Sequence, residues 1–361
     1  VTHLSRRAVG ATALLTASVL AAATTPALAG SAGRAGVVRH TAKVPTSIGY
    51  GGAVSTVDPE ASAAALRVLR NGGNATDAAV AAASVLGVTE PYSSGIGGGG
   101  YFVHYDAATG RVRTIDGRET APASMPHDAF IDPATGQPYN FTPELVTSGV
   151  SVGVPGSLAT WQRALDRWGS RSLGQVLRPG IRVARRGFVV DPTFRQQTLE
   201  NKTRFEAFRS TRRLFLPGGD APQVGSVFRN PDLAATYRLI ARRGLRVFYR
   251  GRLAHEIART AQHPPKTSST TLPVPPGFMK PSDLVAYRTV DRAPTHVGYR
   301  GYDVYGMAPS SSGGRPSVRR STSWSATTCR RCRRSTRCTT TSRPVPSPSP
   351  TAAPTSGTRR T

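Results

Sequence analysis

Apolar positions recur at helical spacing over residues 61–70, directly after Asp58-Pro59-Glu60. An Asp in that place accepts from the free N–H groups of a first turn, and Pro suits the first helical position. Asn71-Gly72 supplies a left-handed stop. A second helix is predicted at once: Asn74 caps it, Asp77 stands beside the positive end of its dipole, and the Ala-rich run 78–86 stops at Gly87. Alanine on successive turns predicts close packing against another layer, a sheet rather than solvent. The period then changes. Residues 101–105 and 111–115 read as strands joined by a Gly-containing loop, which predicts a hairpin. Helices are predicted over 156–168, 173–186, 231–243 and 252–261, each ending at or near a Gly, and 263–279 reads as a Pro/Thr/Ser loop. Residues 295–307 predict a strand pair turning at Arg300-Gly301. Helices and hairpins alternate without a βαβ rhythm, which predicts an α+β layered architecture.

Composition adds limits. The chain has 361 residues of which 38% are hydrophobic, enough for a substantial core. A formal net charge of +27 raises nucleic acid or an anionic membrane as partners. Yet only four of the 47 basic residues are Lys, and the Arg residues are scattered through helices and loops, as a G+C-rich coding sequence produces, so no nucleic-acid partner is expected. Ser5-Arg6-Arg7, the apolar stretch 8–23 and Ala27-Leu28-Ala29 have the form of a signal peptide over 1–29, with a secreted, extracytoplasmic destination and no stable membrane span after its removal. Residues 30–46 are expected to be a flexible linker. Cysteine is absent from 1–314, so no disulfide framework is expected there.

From 315 to 361 the composition shifts abruptly to eleven Arg, no Asp, Glu, Lys, Leu, Ile, Phe or Tyr, and all three cysteines. Cys329, Cys332 and Cys338 without a His are too few for a structural zinc site. Read one nucleotide earlier, with permitted G+C-rich codons, the stretches 319–330 and 336–344 become amphipathic and helix-like. The expectation is therefore a basic, low-complexity, disordered tail produced by a frameshift.

Three motifs invite chemistry. Gly95-Ile-Gly-Gly-Gly-Gly100 matches the dinucleotide pattern, but it follows a turn and leads into a strand, so a tightly packed glycine turn is expected instead. His255-Glu256 begins a zincin-like helix, but Arg259 stands where the second His is needed. Arg118 closes the hairpin, where its planar fork can hold a carboxylate through two parallel bonds; spacing alone favours instead a surface ion pair with Glu119 or Asp116.

Five blocks then carry a resemblance: Asn71 to Val80, Glu90 to Gly100, Asp116 to Pro122, Ser151 to Gly156, and Tyr299 to Tyr305 continued by Pro309 to Gly314. In this order they resemble the gamma-glutamyltransferases, large-subunit portion, over residues 47–314. The resemblance implies an incomplete N-terminal-nucleophile hydrolase αββα sandwich, cut from a precursor into large and small subunits. It implies that a freed amino-terminal Thr attacks the gamma-glutamyl amide of glutathione and passes the acyl group to water or an amino acid, with no metal or organic cofactor. It places Arg118 on the substrate α-carboxylate. The family's Thr pair followed by His is missing from residues 1–361, so no catalytic residue is assigned, the small subunit is expected to be absent, and this chain alone is expected to be inactive. The competing expectations are a cephalosporin acylase-like relative and a secreted basic protein that binds anionic polymers.

Overall fold

The computed structural model describes residue 43 and residues 45–313. The predicted signal peptide 1–29, most of the predicted linker 30–46 and the predicted tail 315–361 lie outside the described residues.

Two helices open the fold, α1 (Pro59–Arg70) and α2 (Ala75–Thr89). Asp58 caps α1 by accepting from Ala61 N at 2.8 Å, and Asn74 and Asp77 close a reciprocal capping box on α2. The alanines of α2 let its neighbours approach closely, and Val80, Val85 and Val88 are fully buried in the core. Next, β1 (Gly100–Asp106) and β2 (Arg111–Gly117) form the predicted antiparallel hairpin, with Tyr101 opposite Asp116 and Phe102 opposite Ile115.

Five elements follow: α3 (Ser157–Trp168), α4 (Leu173–Val176), α5 (Arg178–Arg186), the short β3 (Phe188–Val189) and α6 (Pro192–Glu200). The single helix expected over 173–186 is divided at Leu177, because Pro179 has no N–H to return to the carbonyl of Gln175. Unforeseen were α6, α7 (Lys202–Glu206) and α8 (Arg209–Phe215). Their sequences are polar, and what holds them is tertiary: Phe194, Phe205 and Phe215 gather around Tyr92 at ring separations of 5.5, 6.2 and 6.1 Å. Then β4 (Val227–Phe228) pairs with β3, and α9 (Pro231–Arg243) keeps its predicted bounds. Three more helices, α10 (Arg246–Tyr249), α11 (Arg252–Gln262) and α12 (Pro281–Ala286), lead to β5 (Val290–Arg292). The last pair is β6 (Thr295–Tyr299) and β7 (Tyr302–Gly306). Arg300 and Gly301 both have positive φ, 51° and 81°, as a tight two-residue hairpin turn needs.

β5 pairs with β2, making a three-stranded antiparallel sheet in the order β1-β2-β5. Alternation gives this sheet two unlike faces. Phe102 and His104 pack on Trp168 of α3, and Gly117 lies so close to Thr160 that a Cβ would collide with its hydroxyl. Tyr101, Val103, Tyr105, Asp116 and Val290 point the other way; Val103, Tyr105 and Val290 are exposed there, Tyr105 by 62%, while Asp116 is buried. The architecture is α+β, a helical layer on one side of a sheet whose second side is partly open, with Asp303 and Tyr305 of β7 beside Val103 and Tyr105. Among the described residues no helix is long and apolar enough to cross a membrane.

Candidate functional site

The Gly95–Gly100 turn is a packed support. Ser157 Oγ donates to the carbonyls of Gly95 and Gly98, each at 2.9 Å, while the N–H groups of Gly156 and Ser157 donate to the Gly98 carbonyl at 2.9 and 3.0 Å. Glu119 accepts from Gly99 N at 2.5 Å, tying the turn to the end of β2. A Cβ on Gly99 or on Gly156 would run into the carbonyl of Gly117, so both positions admit backbone only. The expectation of a packed turn holds. The turn, α2 and α3 enclose a cavity of about 540 Å³ lined in part by Ser94, Gly99, Glu119, Thr160 and Trp161.

Arg118 does not line that cavity. One residue beyond Gly117, it belongs by alternation to the open face, with Tyr101 and Asp116. Its backbone is held twice: its N–H donates to Asp116 Oδ1 at 3.0 Å, and its carbonyl accepts from the hydroxyl of Tyr287 at 2.8 Å. Burial, with Asp116 and Glu119 close by, pushes the Tyr287 phenol up to about 12, so it remains a donor at neutral pH. The guanidinium is exposed, and its Nη1 donates to the Tyr101 hydroxyl at 3.3 Å and to the Ser310 carbonyl at 3.0 Å.

Neither surface ion pair that spacing allowed is formed. Glu119 is used by Gly99, and Asp116, 6% exposed, takes the Nε of Arg292 at 2.5 Å. Among the described residues the guanidinium meets only uncharged oxygens and has donors to spare. Tyr101, Tyr287 and Ser310 belong to this site but were not singled out from sequence, because strand pairing and a 192-residue closure bring them to Arg118. The signal that existed was Ser310 inside the block 309–314 and Tyr101 directly after the glycines.

The zincin-like start lies on α11, where His255 is exposed and Glu256 pairs with Arg252 at 3.0 Å. Among the described residues no group of three or more His, Cys, Asp or Glu is placed to hold a metal ion.

A family profile for Gamma-glutamyltranspeptidase matches residues 61–317. The glutathione hydrolase proenzyme of Bacillus subtilis (strain 168) is 39% identical over 267 residues, covering 74% of this chain and 43% of that protein. The acylase ACY 1 proenzyme of Pseudomonas sp. (strain V22) is 35% identical over 281 residues, covering 77% of this chain and 48% of that one. In three dimensions the chain is similar to the crystal structure of Helicobacter pylori gamma-glutamyltranspeptidase, with a TM-score of 0.67 and 32% identity over 75% of this chain and 73% of that one. The chain thus spans less than half the length of these curated relatives. With sequence blocks, sheet and supporting turn in agreement, this chain belongs to the gamma-glutamyltranspeptidase family.

Proposed function

We propose that this chain supplies the carboxylate-anchoring part of a site for gamma-glutamyl transfer or glutathione hydrolysis, with Arg118 receiving the α-carboxylate of the gamma-glutamyl donor. The observation that carries this reading is the guanidinium itself. It is fixed at its backbone, exposed at its tip, and hydrogen-bonded by the neutral oxygens of Tyr101 and Ser310; Asp116 and Glu119 lie near it, but among the described residues neither forms an ion pair with it. A bound carboxylate supplies the missing charge and accepts parallel N–H bonds from the fork.

The same reading leaves the covalent step to another segment. Acyl transfer needs a hydroxyl with a base at hand, and in this family that base is the amino group of the nucleophile itself. Residues 1–361 contain no Thr pair followed by His, and Thr295, which does precede a His, is internal to β6. The open face of the sheet, with Tyr105 and Val290 exposed, supports the packing of a further layer there, contributed by a small-subunit-like segment. The leader-like segment 1–29 adds export to this reading.

The test has two arms. The purified 361-residue chain alone is expected to release no chromophore from gamma-glutamyl-p-nitroanilide. A hybrid precursor, residues 30–313 joined to the remaining part of the Bacillus subtilis relative, is expected to release it, and Arg118→Gln to raise the hybrid's KM by about 100-fold. An unchanged KM in Arg118→Gln overturns the assignment. The acylase relative supports a second reading, a different acyl group on the same scaffold; a hybrid that cleaves a glutaryl amide faster than the gamma-glutamyl amide selects it.

A further inference from the structure

We propose that Tyr101 is a specificity-determining residue of the Arg118 site, its phenolic hydroxyl donating to the same carboxylate that Arg118 binds. The proposal rests on the reading of Arg118 given above.

Tyr101 sits at the start of β1, directly opposite Asp116, on the open face that Arg118 shares. Its hydroxyl lies 3.3 Å from Nη1 of Arg118 and 3.1 Å from Oγ of Ser310. A guanidinium has no lone pair to offer, so in the first contact the phenol oxygen must be the acceptor. Its hydrogen is left for something else. Among the described residues the one oxygen within reach is Ser310 Oγ, which accepts as readily as it donates.

The corner therefore presents guanidinium N–H groups and two rotatable hydroxyl hydrogens, and its built-in acceptors are neutral. Such an excess of donors fits an anion with two oxygens, one on the Arg118 fork and one able to take the Tyr101 O–H. A neutral amide in the same position gives the phenol a weaker acceptor and the guanidinium no carboxylate in direct contact. Tyr101 also braces Arg118 in a ligand-free chain, since its oxygen occupies Nη1 and limits where the fork can swing. Removing only the hydroxyl separates this role from packing, because Phe keeps the ring that β1 places there.

The experiment is ligand-detected NMR on the full-length chain with L-glutamate and with L-isoglutamine, in which the α-carboxylate alone is a neutral amide, using wild type, Tyr101→Phe and Arg118→Gln, each first checked for native circular dichroism. Tyr101→Phe is expected to weaken L-glutamate by about tenfold, Arg118→Gln to weaken it further, and both to change L-isoglutamine far less. Wild-type affinity for L-glutamate in Tyr101→Phe, alongside a loss in Arg118→Gln, overturns the role of Tyr101 and leaves the Arg118 reading standing. Unchanged binding in Arg118→Gln, or none in wild type, overturns both. In the hybrid precursor the second measurement is the kinetic split. A roughly tenfold rise in KM with kcat retained supports donation to the bound carboxylate, and an unchanged KM removes the proposal.

Discussion

Asp116 and Arg292, 176 positions apart in the chain, are joined by an ion pair of 2.5 Å between neighbouring strands. The carboxylate is buried and the guanidinium partly exposed, so the pair works at the edge of solvent, where geometry matters more than charge. Oδ2 of Asp116 takes Nε of Arg292, Oδ1 takes the N–H of Arg118, and Thr114 Oγ1 adds a bond of 2.7 Å to the Arg292 carbonyl. The pair thus fixes β5 to β2 and sets the backbone from which Arg118 projects. Arg292→Ala leaves a buried carboxylate oxygen without its partner. The expected cost is about 2 kcal/mol in urea unfolding, with weaker L-glutamate binding as a second consequence. A loss below about 0.5 kcal/mol would mean that water replaces the guanidinium without penalty.

Asp77 closes the opposite side of the fold. Fully buried, it accepts from Ser170 Oγ at 2.6 Å, from Ser170 N and Arg171 N at 3.0 Å each, and from Asn74 N at 2.9 Å. Burial alone would raise its carboxyl, but the bonds from the Ser170 hydroxyl and the backbone N–H groups of Asn74, Arg171 and Ser170 outweigh it and hold the carboxyl below its ordinary value. A depressed carboxyl stabilises the fold above its unfolded pKa, and that stability disappears as pH falls through the folded value. Asp77→Asn is therefore expected to cost about 2–3 kcal/mol between pH 5 and 8, the gap to wild type closing below about pH 4. Paired urea curves at each pH decide it; a gap independent of pH down to 3 shows that the charge contributes nothing.

These two sites mark what the sequence could and could not disclose. Asp77 was legible as an N-terminal helix residue because capping is local, but its partners Ser170 and Arg171 lie 93 and 94 residues away. The α1 start was read from Asp58-Pro59, and the same signal stands at Asp191-Pro192, where Asp191 accepts from Phe194 N at 2.8 Å. That start was readable and was missed because α6 to α8 lack an apolar stripe and depend on Tyr92 and its aromatic neighbours. At the candidate site, Arg118 stood out by its place after a hairpin. Tyr287 carries no local signature and Ser310 only its place in the block 309–314, since each reaches Arg118 only through the folding of distant segments.

His104 on β1 offers a titration within reach of physiological pH. Its ring stacks on Trp168 at 4.3 Å and 5°, and Thr76 Oγ1 stands 3.5 Å from Nδ1. Burial lowers its pKa, with Asp106 opposing and Arg113, directly across the hairpin, adding to the depression. The folded chain therefore prefers the neutral ring, and below about pH 6.5 the unfolded chain takes up the proton first. Stability falls with pH from that point, by at most about 1.4 kcal/mol per pH unit, until the folded ring also protonates. His104→Phe keeps a ring on Trp168 and cannot titrate, so its stability relative to wild type should rise between pH 7.5 and 5.5. Parallel melting curves that keep a constant separation over this range would show that the ring titrates alike in both states.

Tyr237 of α9 makes the opposite case, a polar group whose removal should do no harm. It is wholly buried, its hydroxyl has no partner among the described residues, and burial pushes the phenol far above its ordinary pKa. The oxygen lies so close to α2 that a Cβ on Gly87 would come within 2.7 Å of it. An unpaired buried hydroxyl has lost its water without regaining a bond, whereas Phe fills nearly the same space with no such loss. Tyr237→Phe should therefore leave stability unchanged or raise it by up to about 1 kcal/mol, measured by urea unfolding. A decrease of about 1 kcal/mol or more would show that the hydroxyl is satisfied after all, by an internal water bridging it to the backbone between α2 and the glycine turn.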